Sequence, residues 1–250
     1  MNVATYLKRI NYDGVLTRTA QALHDLQMTH LMNVPFENLS IHAREPIDLT
    51  EDALFDKIVT RRRGGFCYEL NGLFAWLLRG LGFEVTMLSA SVARKDGSYT
   101  PPFDHMALMV SLEQRWLLDV GFGDTFRVPL LLDNADVQQQ NGRSYQVALD
   151  DTHYIVMEQK EDKPWQPQYR FTLQAYDFSD YAEMCHYNQT SPDSSFTQGR
   201  VCTLATPMGR LTLSETQLIT TTLSGERQEC EVANEAEHSI LLKKHFDIAL

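Results

Sequence analysis

The chain has 250 residues, 43% of them apolar and 22% charged, and its 33 acidic side chains outnumber 22 basic ones for a net charge of −11. Such a chain lacks the basic stripe that displaces counterions from phosphates, which excludes a general nucleic-acid binder, and no apolar run is long enough to span a bilayer. Its four cysteines, Cys67, Cys185, Cys202 and Cys230, form no Cys-x-x-Cys pair and are too sparse for a disulfide scaffold, so reduced thiols and a cytoplasmic home are expected.

In chain order, Val3, Tyr6, Leu7 and Ile10 form a short helical face closed by Gly14. Lys8, Arg9 and Asp13 interrupt this stretch, so it lacks the continuous apolar region of a signal peptide. Leu16 to Met32 carries a second helix, with Ala20, Leu23 and Leu26 on its face, before Pro35 intervenes. Thr50 caps a third, which has Glu51 and Asp52 in its first turn, buries Leu54 and Ile58, and ends at Gly64-Gly65. A fourth follows at once, readable from Leu70, Leu73, Phe74, Leu77 and Leu78 until Gly80.

From Phe83 the period changes to two, as in Val85, Met87, Ser89, Ser91 and Ala93, which predicts a strand. Further strands are expected at 106–112, 115–120, 145–149, 154–158 and 169–173. Turn clusters such as Asp133-Asn134, Asn141-Gly142 and Lys163-Pro164 separate them, as in a small antiparallel sheet or barrel. Gln138-Gln139-Gln140 reads as a short polar loop. After a loop at 188–195, strands at 201–206 and 210–213 turn at Pro207-Met208-Gly209, and two more strands and a helix near 235–246 complete an α/β segment. Neither linker nor repeat is evident, so segments 1–83 (helical), 84–190 (barrel) and 191–250 (α/β) are expected to pack as one α+β body.

The richest stretch is Arg63-Gly64-Gly65-Phe66-Cys67-Tyr68-Glu69-Leu70-Asn71, which brings a cysteine out of a glycine turn onto the first turn of an apolar helix. Unpaired backbone N–H groups and the positive end of the helix dipole favour thiolate there, and Arg61, Arg62 and Arg63 are expected to add positive charge. A nucleophilic thiol needs a base, and the base needs a group to orient it. Of eight histidines, His105 stands out because it opens an apolar strand after the stiff loop Tyr99-Thr100-Pro101-Pro102-Phe103-Asp104. The next strand carries Asp119 inside an apolar run, and a buried carboxylate is costly without a partner. A two-residue turn at Glu113-Gln114 would put His105 and Asp119 on opposite faces. Their pairing therefore requires an odd loop, such as Leu112-Glu113-Gln114, or a bulge. Metal ligation finds little support, since His153 and His186 have no further ligand at a chelating spacing.

These motifs, with Pro35-Phe36-Glu37-Asn38-Leu39, Phe103-Asp104-His105 and Asp119-Val120-Gly121-Phe122-Gly123 in this order and spacing, resemble the arylamine N-acetyltransferases, which include bacterial N-hydroxyarylamine O-acetyltransferases. Weaker similarity extends from Tyr6-Leu7-Lys8-Arg9-Ile10 through Ser191-Pro192 to Thr206-Pro207-Met208-Gly209-Arg210. The resemblance implies a papain-like core: a helical bundle, then a β-barrel, then an α/β lid. It implies Cys67 as acetyl-accepting nucleophile, His105 as base, Asp119 as orienting carboxylate, and Phe122 lining the arylamine pocket. Glu37, Arg63 and Asn71 match a buried polar network that holds the cysteine helix. Acetyl-CoA is the implied cosubstrate, with no tightly bound cofactor and no metal; small aromatic amines or hydrazines are the implied acceptors. Family members hold the coenzyme partly through the loop before the histidine, here Thr100-Pro101-Pro102. A papain-like peptidase or transglutaminase-type enzyme shares the three residues, and a non-catalytic binding module could share the fold.

Overall fold

Residues 1–161 and 163–249 are described by a computed structural model. Helical periodicity in the first eighty residues becomes α1 (Val3–Arg9), α2 (Ala20–Asn33), α3 (Leu39–His42), α4 (Glu51–Phe55) and α5 (Cys67–Gly80), with a two-residue strand, β1 (Phe36–Glu37), after Pro35. The second helix starts at Ala20 rather than Leu16 because the Thr19 hydroxyl accepts the Ala22 N–H at 3.2 Å, leaving Val15 and Leu16 outside and exposed. The third expected helix is α4, which runs into one π turn, Asp56–Thr60, and stops before Gly64-Gly65. Those glycines are extended instead: Gly65 bridges Phe36, and its carbonyl accepts the Glu37 N–H at 2.9 Å. Any side chain on Gly64 would run into the Pro35 carbonyl. In α5, 11 of 14 residues are buried, so this helix forms the centre of the largest apolar cluster rather than its wall.

The central segment folds into β2 (Glu84–Val92), β3 (His105–Ser111), β4 (Arg115–Leu118), β5 (Leu130–Leu131), β6 (Gln138–Gln140), β7 (Arg143–Asp150), β8 (His153–Lys160) and β9 (Gln166–Phe171). They make one antiparallel sheet in the order β5-β4-β3-β2-β9-β8-β7-β6, curled around Leu88, Ala107, Leu117, Phe126, Tyr145 and Val156. Gln138-Gln139-Gln140, expected as a loop, pairs with β7 and brings the two outer strands together. The Gln138 amide donates to the Leu131 carbonyl (3.1 Å) and accepts its N–H (2.8 Å). Gln140 does the same for Val128, at 2.9 and 3.0 Å. Two side-chain amides thus stand in for a backbone ladder, which a polarity reading misses. The result is a nearly closed barrel in a mixed α+β chain.

Helix α6 (Ala182–Thr190) follows a 3₁₀ turn at Phe178–Tyr181. It buries only Cys185 and Asn188, so its sequence has no apolar period to announce it. The last segment holds β10 (Val201–Thr206), β11 (Gly209–Ser214), β12 (Gln217–Thr222), β13 (Arg227–Glu231) and α7 (Glu235–Phe246). Its sheet runs β1-β10-β11-β12-β13, with Phe36 opposite Thr203 and Glu37 opposite Cys202. The strand beside the Gly64-Gly65 segment therefore belongs to the C-terminal sheet. Among the described residues no helix is long and apolar enough to cross a membrane.

Candidate active site

Two buried carboxylates hold the approach to α5. Glu37 accepts from Arg63 Nε (3.0 Å), the Gly64 N–H (3.3 Å) and the Leu39 N–H (2.7 Å). Glu69 caps the helix by accepting the Phe66 N–H at 3.1 Å and takes Lys57 Nζ at 2.6 Å. Burial pushes the Glu69 carboxyl up while Lys57 pulls it down. The arginines expected to sit beside the thiol are spent elsewhere: Arg61 pairs with Asp56, Arg62 with Asp247 and Arg63 with Glu37.

The β3–β4 connection is the three-residue loop Leu112-Glu113-Gln114, with Ser111 opposite Arg115 and Leu108 opposite Leu118. In this register His105 and Asp119 share a face, and His105 Nε2 lies 2.7 Å from Asp119 Oδ2. Asp119 is fully buried. Its Oδ1 accepts from Asn71 Nδ2 (2.9 Å) and the Gly121 N–H (2.8 Å), while its own N–H donates to Gln27 Oε1 at 3.2 Å. Asn71 also donates to the Met106 carbonyl (2.7 Å) and accepts the Val120 N–H (2.9 Å). Asn71 lies four positions after Cys67, so one face of α5 presents both the sulfur and the amide that fixes the carboxylate.

Cys67 is the first residue of α5 and is 2% exposed. Its Sγ lies 3.9 Å from the Asp104 carbonyl, and the Met106 N–H points at it. Gly121 packs on it so closely that a Cβ there would sit 2.7 Å from Cys67 Cα. Burial, and then the Asp104 carboxylate, push the thiol well above its ordinary value, against the Met106 N–H. His105 has committed Nε2 to Asp119, which leaves Nδ1 as the free ring nitrogen. Phe122 and Tyr169 clamp the imidazole, with ring centroids 5.1 and 5.0 Å away. Thr100 and Pro101, with Asp104, Tyr187 and Asn188, line a cleft of about 400 Å³ whose walls do not include Cys67 and which meets the thiol's surroundings at Asp104.

Cys67, His105, Asp119 and Phe122 thus come together. Asn71, expected in one network with Glu37 and Arg63, instead serves the Asp119 end. Gln27, Tyr169 and the chain from Asn188 to Tyr68 OH (3.0 Å) and on to the Phe103 carbonyl (2.8 Å) were not foreseen. A glutamine on the apolar face of α2 was the one signal in the sequence. Among the described residues no three metal-ligating side chains cluster.

A family model described as N-acetyltransferase matches residues 19–250. An arylamine N-acetyltransferase of Mycolicibacterium smegmatis is 37% identical over 221 residues, 85% of this chain and 80% of that protein. The arylamine N-acetyltransferase structure from Salmonella typhimurium superposes with a TM-score of 0.93 at 30% identity, covering 98% of this chain and 90% of that one. The Mycobacterium marinum arylamine N-acetyltransferase, solved in complex with CoA, superposes with a TM-score of 0.91 at 30% identity, over 99% of this chain and 93% of that one. With sequence and fold shared from Thr19 onward, the chain belongs to the arylamine N-acetyltransferase family and is an acetyltransferase.

Proposed function

We propose that the protein moves acetyl groups from acetyl-CoA to arylamines, hydrazines or N-hydroxyarylamines by a ping-pong mechanism, with Cys67 as nucleophile, His105 as base and Asp119 as its orienting carboxylate. The observation that carries this reading is the buried His105–Asp119 hydrogen bond of 2.7 Å beside a thiol on the first turn of α5. His105 Nδ1 takes the Cys67 proton as sulfur attacks the thioester carbonyl, and the Cys67 N–H, on a helix terminus, is positioned for the oxyanion. The C–S bond to CoA breaks, the CoA sulfur receives the proton from His105, and acetyl-Cys67 remains. An acceptor amine or hydroxylamine oxygen then attacks the acetyl carbon, passes its proton to His105, and the proton returns to the Cys67 sulfur as the thioester breaks. Arylamines are neutral at pH 7, so an apolar wall such as Phe122 suits them. Four free thiols, Cys67, Cys185, Cys202 and Cys230, fit work in a reducing, cytoplasmic compartment.

Acetyl-CoA carrying a labelled acetyl group, supplied without acceptor, should leave one acetyl group per chain, on Cys67, and an added arylamine should discharge it. A Cys67→Ala enzyme that turns over at the normal rate would end the proposal.

A further inference from the structure

The cleft beside Thr100-Pro101-Pro102 is a poor home for the phosphates of a coenzyme. Its walls carry Asp104 and Asp193 against one cation, Arg94. A second cavity, where the barrel meets the C-terminal sheet, has the opposite character. Thr125, Arg127, Gln140, Arg143, Arg210 and Thr222 are among its walls, and its volume, about 40 Å³, is a few times the space one water needs.

Among the described residues, four cations around it face two carboxylates. Asp124 takes Arg143 at 3.0 Å, Arg210 at 3.2 Å and Lys160 at 3.7 Å, and Glu158 takes Arg143 at 3.0 Å and Lys160 at 3.5 Å. Among the described residues Arg127 has no carboxylate of its own; it donates to the carbonyls of Thr206 and Gly209. The excess of two positive charges is unusual in a chain of net charge −11. Burial and mutual repulsion push Arg127 and Arg210 below their ordinary values, the condition that a bound anion relieves. An independent sign comes from Thr125, which lines the cavity at 7% exposure and whose hydroxyl has no hydrogen-bond partner among the described residues. A buried hydroxyl without an acceptor is costly, and a phosphate oxygen would supply one.

We infer that this cavity is a phosphate-binding site formed by Arg127, Arg143, Arg210 and Thr125. Planar guanidinium groups converging from three strands or loops suit a tetrahedral oxyanion. Asp124 lies five residues after Asp119, so their Cα atoms are at most about 18 Å apart, within reach of a pantetheine arm. The inference rests on the acetyl-CoA reading for one source of the phosphate, the coenzyme; free inorganic phosphate is the other.

Steady-state kinetics with acetyl-CoA and with acetyl-pantetheine, which transfers the same group but carries no phosphate, test it in Arg210→Gln and Asp124→Asn enzymes. Both substitutions break the same ion pair, but they shift the cavity charge in opposite directions. A coenzyme phosphate site predicts that Arg210→Gln raises the KM for acetyl-CoA about tenfold or more and leaves that for acetyl-pantetheine unmoved. Asp124→Asn should lower the acetyl-CoA KM. If the phosphate is free, the donor KM values stay put, while inorganic phosphate raises the wild-type melting temperature and loses that effect in Arg210→Gln. Equal losses with both donors in both variants, or no response to substitution or phosphate, would overturn the site and leave only a structural joint. The melting arm needs no turnover, so failure of the acetyl-transfer reading would be seen separately as absent acylation of Cys67.

Discussion

Asn71 uses both ends of its amide on the strand end that carries Asp119, so its loss should be felt in catalysis as well as in stability. Asn71→Ala leaves the buried Met106 carbonyl and Val120 N–H without their partner, at an expected cost of about 2–3 kcal/mol. The loosened carboxylate should lower kcat about tenfold to a hundredfold with little change in KM. Urea unfolding and steady-state kinetics measure the two effects. Asp119→Asn should keep the fold and lose about 10⁴ in kcat/KM, because the amide favours the wrong imidazole tautomer; activity within tenfold of wild type would remove Asp119 from the mechanism. His30 gives a prediction in pH. Burial pushes it down to about 3, and its Nε2 meets Tyr6 OH at 3.0 Å. The unfolded chain takes a proton near 6.5 and the folded chain does not until about 3. Its contribution is therefore complete above pH 6.5 and declines as pH falls toward 3, by about 1.4 kcal/mol per unit below pH 6. Unfolding free energies at pH 7 and 5 should differ less in His30→Gln than in the wild type.

At the scale of elements, the entrance to α5 depends on a buried ion pair. Lys57→Met strands the Glu69 carboxylate and should cost about 3–5 kcal/mol, while Lys57→Met combined with Glu69→Gln should recover most of that loss in urea unfolding. A double variant no more stable than the single one would show that Lys57 acts through packing alone. The same scale explains what the sequence disclosed. Helices with an apolar stripe, such as α5, and strands with a period of two, such as β2, were legible because local spacing dictates them. The odd β3–β4 loop followed from the needs of His105 and Asp119 alone. What stayed hidden depends on distant partners: β1 exists only against Gly65 and Thr203, β6 pairs partly through glutamine side chains, and α6 buries two residues. The same holds within the site. Cys67, His105 and Asp119 are marked by their own surroundings, whereas Tyr169 reaches the imidazole from a strand 64 positions later in the chain.

At the scale of the molecule, the barrel and the C-terminal sheet meet at Asp124. Burial raises its carboxyl, but Arg210 and Arg143 outweigh that and hold it at about 2. Its pairs are complete above pH 4, near the unfolded carboxyl value, and are lost as pH falls from 4 toward 2. Hydrogen exchange on β10 and β11 should accelerate over that interval in the wild type and be already fast, without the pH step, in Asp124→Asn. The helical segment is tied to the same C-terminal sheet by β1, whose sheet partners lie more than 160 positions further on. On a ribosome, Cys67 emerges long before the strand that braces the segment leading to it. A nascent or truncated chain that ends before Val201 has the thiol but lacks the sheet behind Phe36 and Glu37. The brace behind the segment that leads to Cys67 is thereby assembled only once the chain has been made past Thr203.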